Sequence, residues 1–112
     1  MNALVVAENE KESGRIKLTI ASTTTDTFQG SVIIRRTSNR SNFTIWEDIY
    51  TRAYPTKELI NFTWYDCTVE SGIWYNYSVQ KKDVSGQRGE ETYIEKPVLA
   101  YFEDMFLNAE KQ

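Results

Sequence analysis

The sequence predicts an all-β fold, a two-sheet antiparallel β-sandwich of about seven strands. Strict alternation is the first sign, because Tyr75, Tyr77 and Val79 share one face of a pleated strand. The second is the recurrence of short β-rich runs between polar turns. A tyrosine buried on such a strand needs a hydrogen-bond partner for its hydroxyl, and the preceding turn supplies one in the arrangement called a tyrosine corner. We therefore predict that Tyr75 is a structural tyrosine-corner residue.

Seven runs along the chain have strand character. The predicted strands cover residues 4–6, 15–22, 31–37, 44–51, 59–67, 73–79 and 91–98. In the third run, Val32 and Ile34 share one face and Ile33 points to the other. Pro55 is predicted to mark a connection between strands, whereas Pro97 suits an edge position that lacks a ladder donor.

Length and composition predict a single domain. A chain of 112 residues with 7 Tyr, 5 Phe and 3 Trp can bury a sizeable core. We predict that residues 1–98 form the sandwich and that residues 99–112 form a C-terminal connector or docking segment. The net charge of −3 leaves no basic footprint for a nucleic-acid partner. The sequence contains no apolar run long enough for a signal peptide or a membrane span.

Residue types that carry chemistry are scarce. The sequence has no His, and its single Cys, Cys67, has no imidazole to activate it. Adjacent carboxylates such as Glu47 and Asp48 point to opposite faces of a strand, so they cannot converge. The loop from Asp83 to Gly86 lacks the further acidic residues that a calcium shell requires. We therefore predict that the protein is not an enzyme and has no cofactor and no metal site.

The C-terminal segment is unusually apolar. Residues 97–112 contain seven large apolar side chains, more than a sandwich closed by its last strand has room for. The segment reads either as a helix with one apolar stripe or as an extended arm that pairs with a sheet edge. It then either packs back on its own domain or docks against a neighbouring subunit or a following domain. The predicted docking residues are Val98, Tyr101, Phe102, Met105, Phe106 and Leu107.

Two surface features leave alternatives open. The four Asn-x-Ser/Thr sequons are typical either of a secreted glycoprotein or of polar strand faces and turns. They begin at Asn39, Asn42, Asn61 and Asn76. An outward-facing Ile33 and Trp74, if they lie together on one sheet, would form an apolar patch for a partner.

The order of the runs and two motifs resemble the fibronectin type III family over about residues 3 to 98. The resemblance implies a seven-strand sandwich. The family usually carries a core Trp on its second strand, where this chain has Ile20 and Ala21, so Trp46 or Trp64 is expected to supply that bulk. The motifs are Val69…Tyr75-x-Tyr77-x-Val79…Gly86 and Ile34-x-Arg36 leading to Phe43-x-x-Trp46-Glu-Asp-Ile49.

A second resemblance rests on segments from the middle and the end of the chain. Asp66-Cys-Thr-Val-Glu70, the Tyr75/Tyr77 strand and Phe102-Glu-Asp-Met-Phe-Leu107 together resemble modules of bacteriophage virion proteins. This resemblance implies a non-catalytic structural module of a phage tail or baseplate, made in the host cytoplasm and placed in the virion. Its partners would be other virion proteins or following domains of the same polypeptide, within an oligomeric assembly.

The alternative function is adhesion. In that interpretation, the loops at residues 38–43 and 83–88 recognise a carbohydrate or a host-surface protein.

Overall fold

The computed structural model describes residues 3–102. These residues form eight strands and one short 3-10 turn, and they include no helix long and apolar enough to cross a membrane. The strands are β1 (Ala3–Glu10), β2 (Arg15–Ser22), β3 (Phe28–Ser38), β4 (Glu47–Glu58), β5 (Asn61–Asp66), β6 (Trp74–Lys82), β7 (Arg88–Tyr93) and β8 (Val98–Leu99), with the 3-10 turn at Asn39–Ser41.

The strands form two antiparallel sheets. The first has the order β1-β2-β5, and the second has the order β4-β3-β6-β7 with β8 also paired to β6. The predicted all-β, two-sheet antiparallel sandwich is therefore confirmed. The last predicted strand is divided into β7 and β8, which pair with different parts of β6: β7 with Ser78 to Lys82 and β8 with Trp74 and Tyr75.

The core lies between the two sheets. Ile16, Leu18 and Ile20 of β2 have no exposed surface, and Tyr77 of β6 is the largest fully buried side chain. Trp64 is partly buried and stacks on the Tyr50 ring, with 5.0 Å between ring centroids. It therefore supplies part of the bulk that a Trp on the second strand would supply.

Trp46 lies elsewhere. It precedes β4 and packs edge-on against Tyr93, with ring centroids 5.5 Å apart. Of the two tryptophans expected to supply core bulk, Trp64 is the one packed against the core cluster.

Two predictions about individual residues are wrong. Pro55 lies inside β4 and not in a connection, because β4 is an edge strand in which a residue without an N–H is tolerated. Ile33 faces away from the core but is 2% exposed, since β3 is flanked by Thr51 of β4 and Gln80 of β6. The predicted patch of Ile33 and Trp74 is therefore not formed.

The packed domain continues beyond the predicted boundary at residue 98. The start of β6 extends past the end of β7, and the chain returns to pair with it through β8. The Ala100 N–H donates to the Ile73 carbonyl oxygen at 2.9 Å, and Phe102 is buried in the core cluster. Residues 99–102 of the predicted connector therefore belong to the sandwich, while Met105, Phe106 and Leu107 lie outside the described residues.

Candidate functional site

Tyr75, the predicted tyrosine-corner residue, is hydrogen-bonded to the turn before β6. The Glu70 N–H donates a hydrogen bond to the Tyr75 phenol oxygen at 2.9 Å, and the Tyr75 ring is 5% exposed. Gly72 lies in this turn with a φ of 91°, in the region that favours glycine. Burial raises the pKa of the Tyr75 phenol, so the hydroxyl stays neutral at physiological pH.

A buried carboxylate lies beside this turn. Asp66, at the end of β5, has no exposed surface. Its Oδ2 accepts from the Tyr77 hydroxyl at 2.6 Å and from Arg36 Nη1 at 2.8 Å. Its Oδ1 accepts from the Thr68 hydroxyl at 2.7 Å and from the Thr68 N–H at 3.1 Å. We call Asp66, Arg36, Thr68 and Tyr77 the Asp66 cluster; it joins β5 of one sheet to β3 and β6 of the other.

The hydrogen bonds of the Asp66 cluster fix its charges. Burial by itself would raise the pKa of Asp66, but the hydrogen bonds from Tyr77, Thr68 and Arg36 outweigh it and lower the pKa. Burial and the neighbouring Asp66 charge raise the pKa of Tyr77 far above its ordinary value. The cluster is therefore an ionised carboxylate beside a neutral phenol and a charged guanidinium.

The hydrogen-bonding capacity of the Asp66 carboxylate is fully used within the Asp66 cluster. Its carboxylate accepts four hydrogen bonds, which is about its full lone-pair capacity. Arg36 is also paired with Glu47, at 3.0 Å. The arrangement suits a cross-sheet structural link, because no acceptor of Asp66 is left over for a substrate.

The two predicted adhesion loops line different cavities. Ser38, Arg40 and Ser41 line a cavity of about 370 Å³ together with the outer side of the Asp66 cluster, and Arg40 there forms an ion pair with Glu70. Asp83 lines another cavity, of about 300 Å³. Its carboxylate accepts from the N–H groups of Ser85 and Gln87 and therefore caps its own turn.

Another surface cavity is mostly apolar and lies between sheet edges. It measures about 560 Å³ and is lined by residues 4–7 of β1, by Trp74 of β6 and by residues 92–99. We call it the edge groove. Four large side chains that line it remain well exposed: Leu4 at 59%, Val6 at 54%, Tyr93 at 50% and Trp74 at 44%.

The edge groove follows from the strand order. Among the described residues β1 pairs with β2 alone, so its other edge is free, and β7 ends at Tyr93. Ala3 and Val5 face the core, and alternation then places Leu4 and Val6 on the outside. Sequence reasoning missed this site, although an edge strand that is apolar on both faces was a visible signal.

The described part of the predicted docking segment borders the edge groove. Val98 lines the groove and is partly buried. Tyr101 is 50% exposed, and its backbone is held by the Asn9 side chain, whose amide donates to the Tyr101 carbonyl oxygen at 2.8 Å and accepts from its N–H at 3.2 Å. Phe102 is 5% exposed because its side chain packs in the core of its own domain, so it has little surface to offer a partner.

No metal-ligand cluster is present within residues 3–102, where no three His, Cys, Asp or Glu side chains converge. Cys67 is an exposed free thiol.

Comparisons with known proteins bear on the fold. No family model and no curated protein matches the chain. The structure is similar to that of the pectate lyase PelI from Erwinia chrysanthemi in complex with tetragalacturonic acid, with a TM-score of 0.56 and 16% sequence identity. The match covers 83% of this chain and 28% of that one, so the chain spans about a quarter of the enzyme. At this identity the likeness shows a shared β-rich, sandwich-like fold.

Proposed function

We propose that the protein is a non-catalytic structural module of a bacteriophage virion, in the tail or baseplate, and that it acts as a spacer or assembly element through protein–protein contacts. The edge groove is the observation that carries this proposal. An exposed apolar surface between polar strands is a feature of protein-binding sites, because its burial by a partner removes apolar area from water.

The proposed module is of the fibronectin type III kind. In chain order, strands 1, 2 and 5 face strands 3, 4, 6 and 7, which differs from a constant-type immunoglobulin sandwich by the sheet that holds the fourth strand. Tyr75, at the start of β6, bonds back to the turn five residues upstream, as a tyrosine corner does.

Placement in a virion is supported by the sequence. The Asp66–Glu70 motif holds the buried carboxylate and the turn that Tyr75 caps, so the residues that resemble phage modules are those that close this end of the domain. The apolar residues of the Phe102–Leu107 motif follow directly from the last core residue.

The test is to locate the protein in particles. An antibody raised against the purified chain is applied to virions from the source of the sequence, and the label is viewed by electron microscopy. We expect label at the tail or baseplate. A chain that carries Leu4→Thr and Val6→Thr should lose incorporation, whereas the matched Val84→Thr control, at a 75% exposed position outside the groove, should keep it. Virions without the chain would contradict the proposal.

A carbohydrate-binding function is the second candidate. It is favoured by the cavity beside the Ser38–Ser41 loop and by the likeness to part of a pectate lyase bound to tetragalacturonic acid. Both arginines of that cavity are paired with carboxylates, so an acidic sugar would have to compete with Glu47 and Glu70. A glycan array that includes oligogalacturonides tests this candidate, and absence of binding across the array removes it.

A further inference from the structure

We propose that the edge groove is an interface between two copies of this chain, in which β1 of one copy pairs antiparallel with β1 of the other. The pairing would join the three-stranded sheets of the two copies into one continuous sheet. This inference rests on the proposed role of the groove in protein–protein contacts, and it names a second copy as the partner.

The unprotected edge of β1 carries the proposal. An edge strand presents unpaired N–H and C=O groups to a further strand, and proteins protect such edges with proline, charge, bulges or short strands. β1 has eight residues, pairs with β2 in an unbroken register and contains no proline and no lysine. Its first five residues, 3–7, are all apolar. This half of β1 therefore lacks each of the usual protections.

The other edges in the described part of the chain are protected. β4 contains Pro55, and its pairing with β3 has two register shifts. β7 carries three charges in six residues, and its pairing with β6 is also shifted. β5 has six residues, begins and ends with a polar side chain, and β8 has only two residues. A further strand is therefore expected to add to β1.

The second half of β1 is already occupied by its own chain. The Asn9 side chain donates to the Tyr101 carbonyl oxygen at 2.8 Å and accepts from the Tyr101 N–H at 3.2 Å. The open stretch is therefore limited to residues 3–7, of which residues 4–7 line the edge groove. A paired strand lies about 4.8 Å from its neighbour, so it would enter the groove that Trp74 and Tyr93 line with β1.

The open stretch suits antiparallel pairing with itself. With Val5 of both copies at the centre, Leu4 of each copy lies opposite Val6 of the other, on the outer face of the sheet. Glu8 lies outside the paired stretch. The Glu8 residues of the two copies would be about 20 Å apart, beyond the range of their repulsion at physiological salt. A parallel arrangement in register would instead place them side by side.

The size of the surface predicts a weak dimer. The four exposed side chains that line the groove leave between 44% and 59% of their surface in water, on the order of 100 Å² each. Two copies would therefore bury roughly 800 Å² of side-chain surface in addition to the paired strand edges, which is near the lower limit for a specific interface. We expect a dissociation constant of about 10 μM to 1 mM.

The first experiment is sedimentation velocity of the full 112-residue chain across this concentration range. We expect the mean mass to rise from that of a monomer towards that of a dimer. Val6→Lys places a cation in the apolar contact and should weaken the dimer at least about tenfold. The matched Val84→Lys control adds the same charge at a 75% exposed position outside the groove and should leave the dimer unchanged.

Two outcomes of this experiment would overturn the proposal. One is a chain that stays monomeric at every concentration, which would leave the groove to a different protein. The other is an equal response to the two lysine variants, which would place the interface elsewhere. Val6 is 54% exposed, so Val6→Lys should fold, and unchanged amide signals from the core verify this.

The second experiment measures the register and leaves the paired stretch intact. The chain carries Cys67→Ser and Glu8→Cys, with a nitroxide on the exposed position 8. Dipolar electron paramagnetic resonance of the concentrated sample should show a separation of about 20 Å between the two strand positions. A separation near 5 Å would indicate parallel strands, and one well above 30 Å an interface at another surface. Either result contradicts the proposed pairing.

Failure of this inference is distinguishable from failure of the proposed function, because neither experiment uses a virion. A monomeric chain that is found in virions would remove the dimer alone. A dimeric chain that is absent from virions would remove the placement in a tail or baseplate alone.

Discussion

The Asp66 cluster and the edge groove differ in both polarity and burial. The cluster consists of polar groups that are buried and completely paired: Asp66 has no exposed surface and accepts four hydrogen bonds. The groove consists of apolar groups that are left in water, with Leu4 and Val6 more than half exposed.

Substitutions in these two regions are expected to affect different properties of the protein: its stability in the Asp66 cluster, and its binding to a partner in the edge groove. Removing one member of a paired buried charge leaves its partner desolvated without compensation, which costs several kcal/mol. Changing an exposed side chain away from such features usually alters stability by less than about 0.5 kcal/mol. We therefore expect substitutions in the Asp66 cluster to lower the free energy of unfolding. Substitutions in the edge groove should leave that free energy nearly unchanged and weaken binding to a partner.

The largest effect is expected for Asp66→Asn. The substitution removes the negative charge that holds Arg36 and bonds to Tyr77, and we expect a loss of about 3 kcal/mol in the free energy of unfolding. Urea denaturation at pH 7 measures it. Asp26→Asn, at an exposed position, is the matched control and should change the free energy little.

The loss of stability caused by Asp66→Asn should depend on pH. Because the pKa of Asp66 is lowered in the folded state, its ionisation contributes stability above the unfolded pKa of about 3.9, and that stability is lost as the pH falls through the lower folded pKa. The difference between the protein and Asp66→Asn should therefore shrink on acidification below about pH 4. An unchanged difference would show that the Asp66 carboxylate is not ionised in the fold.

Tyr77→Phe should cost about 2 kcal/mol, since it removes a hydrogen bond to a charged, buried acceptor. The raised pKa of Tyr77 contributes stability that is fully present below the unfolded pKa of about 10 and is lost as the pH rises above it. The variant should therefore lose less stability between neutral and alkaline pH than the protein does. Urea denaturation at both pH values tests this, with the half-exposed Tyr101→Phe as control.

Tyr75→Phe is expected to cost about 1 kcal/mol, the usual net value of a neutral hydrogen bond. The ring stays buried, so the loss reports the bond to the Glu70 N–H alone. Amide hydrogen exchange at Glu70 should speed up in the variant. Unchanged exchange would mean that this bond does not hold the turn.

The smallest stability effect is expected in the edge groove. Leu4→Thr with Val6→Thr keeps β-branched or strand-compatible side chains and should shift the free energy of unfolding by less than about 0.5 kcal/mol. Thermal unfolding measures the change. A loss comparable to that of Asp66→Asn would place these residues in the structural core and remove the contrast between the two regions.

Local patterns predicted the strands best where one face is buried. The bounds of β2 agree with the prediction because residues 16, 18 and 20 alternate cleanly between core and solvent. Pro55 misled the prediction of β4, since proline signals a break unless the strand is known to lie at an edge. Ile33 misled the prediction of the surface, because its burial depends on the strands on both sides of β3.

The sequence by itself determined the fold class and the inward side chains of the Tyr75 strand, because the period of two in a β-strand is a local property. The tertiary structure alone decided that Asp66 meets Arg36, thirty residues earlier, and that the edges of β1, β7 and β8 enclose an apolar groove. Contacts of this kind depend on how the two sheets face each other, and no local spacing encodes that arrangement.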